Sequence, residues 1–144
     1  MVRFRILTVC LLAFAAVLHY APGIPAEETR ADCSVCGMWI DQYMHTRHVL
    51  TEPDGTKISF CSFTCAARFM KTHEVDVKQL QVADYLTTEL VGAKDGFYLV
   101  ESDAPPVMSY TSIIAFATRE SAEKFQKVHG GRIMTFDEVV AAQK

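Results

Sequence analysis

The sequence predicts an α+β fold of two duplicated strand-strand-helix modules with small antiparallel sheets, the first of them carrying a cysteine-rich metal site. Three observations lead there. Short alternating stretches and helical periodicities follow one another along the chain. The run from residue 58 to 73 recurs 56 residues later. Two cysteine pairs stand at the corners of the first copy alone.

Length and charge set the frame. The chain has 144 residues, half of them hydrophobic and 22% charged, enough for one ordinary domain or two very small ones. A formal net charge of −3, with scattered rather than clustered lysines and arginines, argues against a nucleic-acid surface. Residues 1–26 follow the plan of a secretory signal: Arg3 and Arg5, an apolar stretch from Ile6 to Leu18, then Pro22, Gly23 and Pro25 before Ala26. The apolar stretch falls short of the roughly 20 residues a membrane span needs. Cleavage after Ala26 is expected, with a retained membrane anchor as the alternative. No lipidation pattern surrounds Cys10 or Cys33. Cleavage removes Cys10, leaving four cysteines, and leaves 12 Lys and Arg against 17 Asp and Glu. Two modules are then expected, residues 33–78 and residues 79–144.

The first module opens on Cys33-Ser-Val-Cys36-Gly37-Met38, whose close pair around a small turn can aim both thiols into one space. Residues 38 to 52 carry Trp39, Tyr43, Val49 and Leu50 in a pattern compatible with two short strands broken near Met44 to Thr46. Pro53-Asp54-Gly55 is a turn, and Lys57 to Phe60 is the strand it returns into. From Phe63 to His73, Phe63, Ala66, Ala67, Phe69 and Met70 recur at helical spacing. With Ser62 as its cap, Cys61 lies just outside that helix and Cys65 in its first turn. The helix dipole favours an anion there by roughly 0.3 to 1 kcal/mol, which eases formation of thiolate.

Leu80 to Leu86, Glu89 to Ala93 and Phe97 to Val100 read as strands, the last two joined at Lys94-Asp95-Gly96. Pro105 and Pro106 mark a loop. Ser112 to Phe116 is a further strand, and Thr118 caps a helix running to His129, ended by Gly130 and Gly131. Thr135 and Glu138 have the spacing of a capping box for a last helix to Gln143. Shifted by 56, Ile58, Phe60, Ala66, Phe69, Lys71 and His73 fall on Ile114, Phe116, Ala122, Phe125, Lys127 and His129. Six identities in sixteen positions exceed the roughly one expected from composition, which marks a duplication. Cys61 falls on Ala117 and Cys65 on Ser121, so the second copy keeps the packing without the sulfurs.

The four cysteines have three readings. They can bind a metal, form two disulfides in an oxidising compartment, or act as a thioredoxin-like redox centre. The last lacks its usual context, because the helix follows the other pair. Four thiolates suit tetrahedral zinc. A methionine directly after Cys-Gly adds the soft thioether that copper(I) prefers. His45 and His48, flanking Arg47, read as solvated polar residues on an exposed edge. His73 is expected to be structural, and His129 at a helix end is favoured by the dipole whether or not it binds anything. No serine triad, phosphate loop or base for a thiol nucleophile is recognisable, so a binding and transfer protein is expected rather than an enzyme.

Taken together, Cys33-x-x-Cys36-Gly37-Met38, Ala83-Asp84-Tyr85 with Thr87, Phe97-Tyr98-Leu99-Val100-x-Ser102-Asp103, Met108, Phe125 with His129-Gly130-Gly131, and Phe136-Asp137-Glu138 resemble the NosL family. These are exported copper-binding accessory proteins associated with nitrous oxide reductase. The resemblance runs from about Cys33 to Val140. It implies two small strand-strand-helix modules and Cu(I) held by Cys36 and Met38, with Met108 as a further ligand. It also implies an apo copper enzyme or its assembly factors as partner. The Cys61-x-x-x-Cys65 element is closer to small cysteine-rich modules of the TRASH type, which leaves open a different copper pathway or zinc. The expected metal ligands are therefore Cys33, Cys36, Met38, Cys61, Cys65 and Met108.

Overall fold

The computed structural model describes residues 31–143; the signal expected over residues 1–26 lies outside them. Two antiparallel sheets carry the fold. The first joins β1 (His48–Thr51), β2 (Lys57–Phe60), β3 (Leu80–Ala83) and β4 (Leu90–Gly92) in the order β2-β1-β3-β4. The second joins β5 (Phe97–Val100), β6 (Ile113–Phe116) and β7 (Arg132–Met134) in the order β6-β5-β7. Among the described residues three α-helices accompany them: α1 (Phe63–Met70), α2 (Arg119–His129) and α3 (Phe136–Ala142).

The duplication is visible contact by contact. β1, β2, α1 and β3 are laid out as β5, β6, α2 and β7 are, each sheet having its first strand at the centre. Strand β2 and helix α1 begin 56 residues before β6 and α2. The caps correspond too: the Ser62 side chain accepts from the Cys65 amide and the Thr118 side chain from the Ser121 amide. Phe60 packs on Phe69 at 5.1 Å and Phe116 on Phe125 at 5.3 Å between ring centroids. His73 stacks on Phe69 and His129 on Phe125, at 3.9 and 4.0 Å. Three of the six repeated identities are thus this pair of aromatic ladders, which lock each helix onto its strand.

Some boundaries differ from the expectation, each for a physical reason. Ile40–Tyr43 is a 3-10 turn, not a strand. Trp39 pairs with Asp32 in an isolated bridge and the Ile40 amide returns to the Ala31 carbonyl, which folds the segment back on itself. Helix α1 stops at Met70, three residues before His73. β3 stops at Ala83 because the Asp84 carboxylate captures the amides of Leu86 and Thr87 and turns the chain. Lys94-Asp95-Gly96 does not close a hairpin; it carries the chain from one sheet to the other. The division expected after residue 78 also moves, since β3 and β4 complete the first sheet through pairs such as His48 with Val82 and Val82 with Val91. β7 is only three residues long, too short to show an alternation.

The core follows the pleat of β5. Tyr98 and Val100 point into a large apolar cluster with Phe60, Phe63, Leu80, Val82, Phe136 and Val139, while Leu99 points the other way, to Ile114, Phe116 and Ala122 beneath α2. Asp84 ties the two units together. Its carboxylate accepts from Leu86 N, Thr87 N and Thr87 Oγ1 on one oxygen and from Ala117 N, at 2.7 Å, on the other. Burial pushes this carboxyl up, but the four donors outweigh burial and hold it below its ordinary value. The corner of the second unit that lacks thiols is thus occupied by a carboxylate from the first. Among the described residues no helix is long and apolar enough to cross a membrane.

Candidate metal centre

The first thiol pair is held by a tight backbone knuckle. Cys33 N donates to Met38 O and Gly37 N to Cys33 O, both at 2.8 Å. Gly37 adopts φ +73°, and a Cβ there would meet nothing within 4 Å. Glycine is needed for the backbone conformation alone. Ser34 N donates to Ser59 O of β2 at 2.9 Å, which pins the knuckle over the strand that leads to Cys61. The second pair is set by the start of α1, where Ser62 Oγ accepts from Cys65 N at 3.4 Å. Cys65 therefore enters the first turn facing back toward Cys61.

The two pairs converge. The four Sγ atoms of Cys33, Cys36, Cys61 and Cys65 all lie within 4.8 Å of one another. Cys61 is the centre, 3.5 Å from Cys36 Sγ and 3.7 Å from Cys65 Sγ. These separations exceed the roughly 2.05 Å of a disulfide, and all four thiols are free. Four sulfurs about 2.3 Å from a central ion stand roughly 3.8 Å apart, so the donor set fits a thiolate-bound metal. Cys33, Cys61 and Cys65 are buried, and Cys36 alone is half-exposed.

The sulfurs share their protons unequally. The Cys65 thiol is drawn down to about 6, chiefly by the hydrogen bond from Cys61, with help from Cys33, Cys36 and Ser62 and against its own burial. Cys61 is pushed far up, first by that same bond to Cys65, then by burial and by Cys36. Burial raises Cys36, opposed by a bond from the Met38 backbone amide. The first proton therefore leaves Cys65, at the helix N-terminus where a thiolate is best stabilised.

The model of the NosL family matches residues 26–143. The chain belongs to the NosL family. It is also similar to the HTH-type transcriptional repressor CutR of Bacillus subtilis (strain 168), with 28% identity over 128 residues covering 86% of this chain; it spans 66% of that repressor's length. The crystal structure of the copper chaperone NosL from Shewanella denitrificans has the same fold, with a TM-score of 0.58 at 23% identity, covering 74% of this chain and 87% of that one.

The remaining candidates from the sequence fall in different places. Met38 and Met108, one from each unit, are half-buried and pack against the cluster that holds Cys33, Cys61 and Cys65. Met108 does so from a backbone with φ +57°, a conformation that side chains other than glycine seldom adopt. His129 lies away from the sulfurs, bonded to Asp103 at 2.8 Å, and His73 stays on Phe69. His45 is exposed, as expected, and bonds to the Tyr85 carbonyl. His48 is the correction: it is buried, between Phe63 and Tyr98. β1 is covered on both faces, so its polar first residue goes inside with its apolar neighbours. Several family blocks prove structural. Asp84 staples the units, Asp103 holds His129, and Gly131 lets the chain pass Val100 O, which a Cβ would meet at 2.7 Å.

Proposed function

We propose that this protein is an exported Cu(I)-binding metallochaperone that delivers copper to a periplasmic copper enzyme, nitrous oxide reductase being the leading candidate. The convergence of four free thiols within 4.8 Å carries the reading. Membership of the NosL family and the fold shared with a copper chaperone support it. Cys33, Cys36, Cys61 and Cys65 supply thiolates, and Met38 and Met108 supply thioethers that favour copper(I) over harder ions. The strain held at Met108 supports a role for that side chain, since unusual backbone conformations cluster at functional sites. The partner is an apo copper enzyme or one of its assembly factors, neither nucleic acid nor membrane unless the signal is kept as an anchor. The protein works by binding and transfer, not catalysis. Three buried thiols keep the metal from water, while half-exposed Cys36 offers a sulfur that an incoming ligand can replace.

Zinc is the second reading, favoured by a specific observation: four thiols with three buried resemble a closed structural site. Anaerobic titration of reduced protein against a chromophoric Cu(I) chelator separates the two. One Cu(I) per chain, bound in preference to zinc, is expected; zinc binding without competition for copper makes it a structural zinc module. Delivery is tested by loading a co-exported apo-enzyme with copper-charged wild-type protein and with Cys36→Ser. Equal loading by both removes the delivery role.

A further inference from the structure

Beside the thiols lie two buried polar side chains, Thr46 and His48, that copper binding as described does not use. They matter because of where Cys61 sits. Its sulfur touches both Cys36 and Cys65, so its direction sets the cluster. Its backbone carbonyl falls on the seam between strand and helix. The β2 ladder ends at Phe60, and the first helical carbonyl is that of Ser62, which accepts from Ala66 N. A buried carbonyl on such a seam needs a partner from elsewhere. Thr46 provides it, its Oγ1 donating to Cys61 O at 2.7 Å.

Thr46 is itself held. His48 Nδ1 lies 3.1 Å from Thr46 O, and a carbonyl only accepts, so the ring carries its proton on Nδ1. The other nitrogen, Nε2, is buried with no hydrogen-bond partner. Keeping an imidazole in this place, 5.7 Å from the Phe63 ring and 6.5 Å from Tyr98, costs desolvation that an aromatic hydrocarbon would avoid.

The second unit makes that comparison within the same chain. His48 stands opposite Phe60 in its hairpin, and Phe97 opposite Phe116 in the other. Phe97 thus takes the place of His48, and by the same count Asp95 takes that of Thr46. The copy that has Ala117 and Ser121 for Cys61 and Cys65 also lacks the threonine and the histidine. The polar pair is present only where sulfurs must be aimed.

We infer that Thr46 and His48 are positioning residues for the copper site, fixing the Cys61–Ser62 peptide so that the Cys61 sulfur faces Cys36 and Cys65. The inference rests on the copper reading above and adds residues outside the ligand set. Its test uses Thr46→Val, Thr46→Ser and His48→Phe, the last being the residue found in the second unit. Each is measured for Cu(I) affinity by chelator competition and for the Co(II) absorption bands that report thiolate geometry, well below its melting temperature. Thr46→Val is expected to bind Cu(I) roughly 10- to 100-fold more weakly, the usual cost of losing an outer partner of a ligand, with altered Co(II) bands. Thr46→Ser should restore both. His48→Phe should shift both in the direction of Thr46→Val. Wild-type affinity and wild-type bands in Thr46→Val would overturn the inference even if that variant melts earlier. Should Thr46→Val not fold, the same result in His48→Phe overturns it. Failure of the wild-type protein to take up either metal would instead bring down the copper reading itself.

Discussion

Cys36 is the one half-exposed thiol of the cluster, packed against the margin of the core rather than within it. Cys36→Ser should therefore abolish tight copper binding while leaving the melting temperature of the apo-protein nearly unchanged. Met38→Leu keeps the apolar packing and loses only the thioether, so it should weaken copper binding more mildly. Cys65 gives a pH prediction. Its folded value is drawn down to about 6, below that of an ordinary thiol, so the thiolate stabilises the fold above that range and the contribution is lost as pH falls through 6. Apo-protein should show one equivalent of thiolate absorbance appearing around pH 6, absent in Cys65→Ser. A first thiolate appearing only near about pH 8 to 9 would show that the bond from Cys61 does not hold the Cys65 thiol down.

At the scale of elements, the capping signals and the repeat were legible because each is a local rule. Ser62, Thr118 and Thr135 all cap where their spacing placed them, and strand met strand at the shift of 56. Trp39 to Tyr43 and β7 were not legible. Both are too short for a periodicity, and their conformation is fixed by hydrogen bonds to residues that local sequence does not name. The buried place of His48 was hidden for a related reason, since only the packing of α1 and β5 over β1 makes it interior. The four thiols were legible as pairs, but that the pairs share one site required the Ser34–Ser59 hydrogen bond that lays the knuckle over β2. Ser62→Ala tests the element that aims Cys65. It should cost about 1 kcal/mol of stability, the usual loss for a cap, and weaken copper binding as well. A loss of stability with unchanged binding would show that Cys65 is aimed by packing rather than by the cap.

For the whole molecule, duplication explains why a small thiol cluster is attached to a second unit without cysteines. That unit contributes Tyr98 and Phe136 to the core on which the thiols rest, and its vacant corner takes the Asp84 carboxylate. Asp84→Asn leaves the Ala117 and turn amides with a weaker acceptor and should cost about 1 to 3 kcal/mol. Because the folded carboxyl lies below its ordinary value, this stabilisation is present at neutral pH and lost under acid. The difference between wild type and Asp84→Asn in denaturant midpoint should therefore shrink as pH falls below about 4. A difference that stays constant down to pH 2 would mean that the carboxylate charge contributes nothing to holding the units together. The central claim is that the four converging thiols form a copper(I) site, and anaerobic competition between a Cu(I) chelator and the reduced protein tests it most directly. One copper withdrawn from the chelator per chain, and none by Cys36→Ser, is the predicted result; no withdrawal by the wild-type protein, alongside tight binding of zinc, would contradict it.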